Sequence, residues 1–207
     1  MKETKEEERW NTLTHFIGLI CSLIGFPILL KQNNNLTDLS TESITIYAFG
    51  LICLYAASTL YHYTNNIQLK QKFRIFDHIS IYYLIAGSYA PICLITLYQG
   101  IGVNIFISIL VLALFGSLFK IFYTGKFEKI SLFFYLTMGW LIVLDIKSVI
   151  NLVEFNGILL IVLGGLFYSF GTVFYRHEKL KYSHAIWHVF VLIGSALHYF
   201  SVLLYVI

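Results

Sequence analysis

Charge is scarce in this chain. Asp, Glu, Lys and Arg together make up 12% of its 207 residues, about half the share found in a soluble domain. Disorder is excluded, because it needs low hydrophobicity and high net charge. A nucleic-acid partner is excluded as well. The net charge is only +3, and no Lys/Arg stripe supplies a footprint for phosphates. Proline occurs twice and cysteine three times. Pro27 and Pro91 fall inside long apolar runs, where each is expected to kink a helix that its neighbours support. Cys21, Cys53 and Cys93 lie inside such runs too. Their spacing suggests neither a disulfide framework nor a zinc ribbon, and they read as small hydrophobes. Internal repeats and low-complexity tracts are also lacking.

What the chain has is hydrophobic length. Apolar residues make up 58% of it, and its mean hydropathy is +0.76. A helix crosses the hydrocarbon core with about 20 mostly apolar residues. Seven stretches qualify: Thr12–Leu30, Ser43–Tyr63, Ile75–Leu97, Ile101–Phe119, Ile130–Ile146, Phe155–Tyr175 and Ser183–Val206. The pattern is that of an all-α integral membrane protein, a seven-transmembrane-helix bundle. Residues 1–11 form an N-terminal tail and 12–207 a single domain. An outer-membrane barrel would show alternating segments of about ten residues, whereas these runs are continuous. The first run exceeds a signal-peptide core and no A-x-A site follows, so a retained helix is expected.

Lys and Arg set the orientation. Three sit in the tail (Lys2, Lys5, Arg9), three in loop two (Lys70, Lys72, Arg74), three in loop four (Lys120, Lys126, Lys129) and three in loop six (Arg176, Lys179, Lys181). Loops one and five hold only Lys31 and Lys147, and loop three and the C-terminus hold none. Rich and poor loops alternate, which places the N-terminus in the cytoplasm and the C-terminus outside the cell (inner) membrane. A missed or extra span would break that alternation.

An ionisable residue inside a span is costly and marks a functional candidate. His62 ends span two at the cytoplasmic face, Asp77 begins span three there, and His184 begins span seven. His188 lies about 6 Å deeper at 1.5 Å per residue. Orientation came from Lys and Arg alone, so this shared membrane level is independent of it. His184 and His188 form H-A-I-W-H, an i, i+4 pair on one helical face, a spacing that can hold one metal ion. Ser58 shares the face of His62. Three imidazoles leave one position of a tetrahedral zinc open for water, the catalytic pattern, and zinc lowers the pKa of such a water toward about 7. Asp77 could then take a proton and Ser58 could bond a developing oxyanion.

Plainer roles compete with these. Asp77 could be a helix N-cap, and Ser58 a small residue for close packing. The histidines could bond to backbone. His15 lies at the same level and is the best extra candidate. Asn11, His15 and His78 are candidates for contacts behind the ligands, with His78 alternatively at the lipid interface. His198 lies about 15 Å from His188 along its helix, too far for the same ion. His177 belongs to a loop.

Four blocks carry a resemblance: E-R-W-N-T-L-T-H (Glu8 to His15), A-S-T-L-Y-H-Y (Ala57 to Tyr63), F-D-H-I-S-I-Y-Y-L-I-A-G-S-Y-A-P (Phe76 to Pro91) and S-H-A-I-W-H-V-F-V-L-I-G-S-A-L-H-Y (Ser183 to Tyr199). In these the chain resembles the bacterial hemolysin III proteins, which belong with the progestin and adiponectin receptors. The resemblance implies a seven-helix bundle with a cytoplasmic N-terminus. It also implies a zinc ion on His62, His184 and His188, with Ser58 and Asp77 beside it. The wider superfamily includes alkaline ceramidases, which hydrolyse a lipid amide. Ala185 stands where relatives often carry Glu or Gln, and Tyr63 where a small hydroxyl residue is common. Three functions follow as alternatives: a zinc-dependent hydrolase of a lipid amide or ester, a pore-forming or lytic protein, and a receptor or membrane-state sensor with structural zinc. Membrane lipids are the expected partners. Oligomeric state is open between monomer and homo-oligomer.

Overall fold

A computed structural model describes residues 4–177 and 179–207. The described elements are helices: α1 (Lys5–Gln32), α2 (Ser40–Tyr63), α3 (Ile67–Pro91), α4 (Gly102–Tyr123), α5 (Glu128–Gly139), α6 (Ile146–Leu152), α7 (Phe155–Arg176) and α8 (Ser183–Tyr205). A π-helical turn, Ile92–Thr96, continues α3 past Pro91, and a 3₁₀ segment, Leu141–Asp145, joins α5 to α6. Among the described residues, seven helical stretches are thus long and apolar enough to span a bilayer. Large apolar side chains face outward along them, including Leu23 on α1, Phe115 on α4 and Leu144 in span five. Such a surface suits lipid.

Two helices, α1 and α3, start about two turns earlier than the hydrophobic runs. Helix α1 begins at Lys5 because Thr4 and Glu7 form a capping box. The Thr4 hydroxyl accepts the Glu7 amide at 3.2 Å, and the Glu7 carboxylate accepts the Thr4 amide at 2.8 Å, which satisfies otherwise orphaned donors at the helix start. Residues 5–11 of the expected tail are therefore helix, while residues 1–3 lie outside the described set. Helix α3 begins at Ile67, where Asn66 accepts the Leu69 amide at 3.1 Å. Asp77 consequently lies almost three turns inside α3 and is not an N-cap.

Span five is broken. Helix α5 stops at Gly139, and the chain continues through the 3₁₀ segment to α6. Interrupted backbone at membrane depth needs partners within the protein. Tyr89 of α3 supplies them. Its hydroxyl lies 2.9 Å from the Met138 carbonyl and 3.0 Å from that of Gly139, and accepts the Ile142 amide at 2.9 Å.

Close backbone contact locks α2 to α3. A Cβ on Gly50 would lie 2.6 Å from the Tyr83 carbonyl oxygen, so only glycine allows this approach. Tyr47, Tyr55, Leu51 and Leu54 of α2 pack with Leu29 of α1 and Val191 and Val202 of α8. Tyr82, Ala86 and Ala90 of α3 pack with Ile109 and Ala113 of α4 and Met138 of α5. Span five stands away from α7 along most of its length. A cavity of about 1040 Å³ fills that gap.

Candidate metal centre

The first four turns of α1 organise the site. Glu7, Glu8, Asn11, Thr14 and His15 recur at intervals that keep them on one helical face. The second Glu7 oxygen accepts the Tyr182 amide at 3.0 Å and so holds the entrance to α8. Glu8 Oε2 lies 2.8 Å from His62 Nδ1, and its Oε1 accepts Lys70 Nζ at 2.6 Å. The Asn11 amide is 3.4 Å from the same His62 nitrogen. His188 Nδ1 sits 3.1 Å from both the Asn11 carbonyl oxygen and the Thr14 hydroxyl. The His15 ring stacks on His188 with centroids 3.5 Å apart.

These bonds fix two tautomers. An ionised carboxylate and a carbonyl oxygen only accept. His62 and His188 therefore carry their protons on Nδ1, and the lone pair of each sits on Nε2. Metal-ligating histidines are held in this way, their other nitrogen donating to a carboxylate or carbonyl. Ligand atoms of His62, His184 and His188 lie within 4.8 Å of one another, and the three rings are inward-facing and mostly buried. Ring centroids are 5.0, 5.1 and 4.7 Å apart for the pairs 62–184, 62–188 and 184–188. Tetrahedral zinc with bonds of about 2.0–2.1 Å sets its nitrogens roughly 3.4 Å apart. The donors need to draw together by at most about 1.4 Å for that geometry, and the three could hold a metal ion.

Ser58 is buried one turn before His62 on α2, and Asp77 faces both from α3. Both line the cavity wall with His15, His184 and His188. Both His15 ring nitrogens are buried with no hydrogen-bond partner among the described residues, and the Ser58 hydroxyl has the Asp77 carboxylate as its neighbour, an arrangement suited to a polar ligand or water at this level. His78 has other company. Its Nδ1 is 3.6 Å from Glu128 Oε2, which accepts the buried Lys120 Nζ at 2.6 Å, and its carbonyl accepts the Tyr135 hydroxyl. This ionic cluster joins α3, α4 and α5. His78 is buried in this cluster. His198 lies lower in the cavity, its Nε2 bonded to the Ile161 carbonyl at 3.1 Å.

The profile of the family described as "Haemolysin-III related" matches residues 3–199. The chain belongs to this family. It is 40% identical to "Hemolysin-3" of Bacillus cereus over 208 residues, spanning 100% of this chain and 95% of the relative. It is likewise 40% identical to "Hemolysin-3 homolog" of Bacillus subtilis over 204 residues, 98% of this chain and 95% of the relative. "Monocyte to macrophage differentiation factor" of Homo sapiens is 31% identical over 209 residues, 97% of this chain and 85% of the relative. Family and fold agree on a multi-pass membrane protein.

Glu8 is the residue of this haemolysin-III-related site that sequence reasoning passed over. Among Glu6, Glu7 and Glu8 it reads as tail charge. The available signal was the spacing Glu8, Asn11, His15, which continues the helical face of span one outward by a turn.

Proposed function

We propose that this protein is a zinc-dependent hydrolase of a lipid amide or ester. One observation carries the proposal: the three-histidine cluster, with Ser58 and Asp77 beside it, shares a cavity of about 1040 Å³ with many apolar side chains. From Arg74 the lining continues along α3 and into the π-helical turn at Ile92, about 27 Å at 1.5 Å per residue. That is most of the hydrocarbon thickness of about 30 Å. A linkage held near the histidines at the basic end would leave its chain in the apolar part of the same space.

Zinc bound by three imidazoles supplies a Lewis acid and a water of lowered pKa. The rest is the work of the chain. Glu8 and the Asn11 carbonyl hold His62 and His188 in the ligating tautomer. The Asp77 carboxylate is placed to take the proton of the attacking water and return it to the leaving group. The Ser58 hydroxyl is placed to donate to the substrate oxygen as negative charge builds there. Leu84, Ile85 and Val191 line the cavity behind them and exclude water from the chain.

The test is metal content and turnover in detergent-purified protein. Elemental mass spectrometry should find near one zinc per chain in the wild type and far less in His188→Ala. Ser58→Ala and Asp77→Asn should keep the metal and lose about 100-fold or more of fatty-acid release from a broad lipid panel. A wild type without metal, or release unchanged in Asp77→Asn, would overturn the proposal. The relatives' name carries a second reading, a lytic protein. It predicts dye release from liposomes that persists in metal-stripped protein.

A further inference from the structure

At the mouth of the cavity, four cations face four carboxylates, Glu7, Glu8, Asp77 and Glu128, but three of the cations are not in ion pairs with them among the described residues. Four of the basic residues at this end of the bundle line the cavity: Lys70, Arg74, Lys129 and Arg176. The glutamates lining it are all engaged. Glu7 caps α1 and accepts the Tyr182 amide. Glu8 is shared between His62 and Lys70. Glu128 accepts the Gly125 amide, and its other oxygen holds Lys120 and faces His78. Arg74, Lys129 and Arg176 have no carboxylate at ion-pair distance among the described residues. They come from three different elements, the cytoplasmic ends of α3, α5 and α7.

Arg74 is also positioned. Its guanidinium reaches across to the turn between α4 and α5, where a Cβ on Gly125 would sit 3.2 Å from Nη1. Gly125 has φ +81°, a conformation that favours glycine, so the turn leaves room for the guanidinium. Arg74 lies three residues before Asp77 on α3, about 4.5 Å further out along the axis. A group held by Arg74 is therefore a few bonds from one held beside Asp77. Three cations that line one cavity from separate helices suit the oxygens of a phosphate, which accept charge-assisted hydrogen bonds. Further along α3 the lining includes the apolar Ile81, Leu84 and Ile85.

We propose that Arg74, Lys129 and Arg176 bind the phosphate of an anionic lipid whose chain occupies the cavity beneath. That this lipid is also the substrate rests on the hydrolase reading; the binding itself does not. The experiment is native mass spectrometry of the full chain in neutral detergent, titrated with dioleoyl phosphatidic acid or with dioleoylglycerol. The two probes share their chains and differ in the phosphate. Phosphatidic acid should bind about tenfold tighter or better. The variant Arg74→Gln/Lys129→Gln/Arg176→Gln should lose that preference and retain dioleoylglycerol binding, which also shows that it is folded. A control variant, Lys72→Gln/Lys126→Gln/Lys179→Gln, removes three cations of the same end that do not line the cavity, and should keep it.

Equal loss in both variants would reduce the preference to general surface charge and overturn the proposal. Loss in His188→Ala, with the basic variant unaffected, would place the phosphate on the metal and overturn it too. Displacement of the lipid by millimolar inorganic phosphate alone would make free phosphate the ligand. Binding as proposed without any fatty-acid release would leave this site standing and sink only the hydrolase reading.

Discussion

At the scale of single residues, Glu8 decides how His62 can act. The pair is 2.8 Å apart, with the His62 ring fully buried and Glu8 about a fifth exposed. A carboxylate on Nδ1 fixes the tautomer, holds the ring plane and raises the basicity of Nε2. Lys70 on the other oxygen keeps the carboxylate ionised and in place. Glu8→Gln keeps size and one acceptor but loses the charge. It should weaken metal affinity by about 10–100-fold, measured by competition with a chromogenic chelator. Glu6→Gln, two residues away and outside the cavity, should leave affinity unchanged. If the two variants behave alike, Glu8 is ordinary tail charge. Loss of affinity in Glu8→Gln alone assigns it to the site, where only its helical spacing to Asn11 and His15 sets it apart from the neighbouring glutamates.

At the scale of elements, the instructive case is span five. Hydropathy shows an apolar stretch, and the stretch is present, but its interior break at Trp140 has no proline to announce it. The break depends on Tyr89, which belongs to another helix 50 residues earlier. A sequence window cannot register a hydroxyl that satisfies backbone groups across a helix interface. The break lowers Trp140 onto α7, where its indole N–H donates to Ser169 Oγ at 3.0 Å, and this contact bridges the gap that holds the cavity. Tyr89→Phe keeps the ring and removes the partner of buried carbonyls and of the Ile142 amide. It should cost about 1–3 kcal/mol, read as a lower midpoint in thermal unfolding. Hydrogen exchange should rise at residues 138–142 before it rises in α3. Uniform exchange across both helices would show that the break does not rely on Tyr89. The reverse case is α8. There H-A-I-W-H is local, its i, i+4 face is set by helix geometry alone, and the pair is brought to one side as the spacing requires.

At the scale of the whole molecule, topology was legible because it rests on additive quantities. Span length and the alternation of Lys and Arg are summed over many residues, so single errors matter little. The level at which His62, Asp77, His184 and His188 meet follows from topology, and so does the grouping of the basic loops. What topology does not contain is tightness. The candidate ligands come from α2 and α8, and both are braced by α1, so a metal would tie together helices from the two ends of the chain. Span five, α6 and α7 contribute no ligand, and the cavity separates span five from that braced half. An ion that binds the folded bundle and not the unfolded chain stabilises it by about 2.7 kcal/mol when present at 100 times its Kd. Chelation should therefore lower the thermal midpoint of the wild type, on the order of 5 °C or more for a chain of this size. His188→Ala, already without a complete site, should begin at the lower midpoint and not respond to the chelator. The drop should also be local, with exchange rising first in α1, α2 and α8 while α4 stays protected. A chelator-induced shift of equal size in His188→Ala would mean that the metal sits elsewhere. No shift in either protein would mean that Glu8, Asn11 and Thr14 alone hold the histidines, through the hydrogen bonds that position them in the bundle.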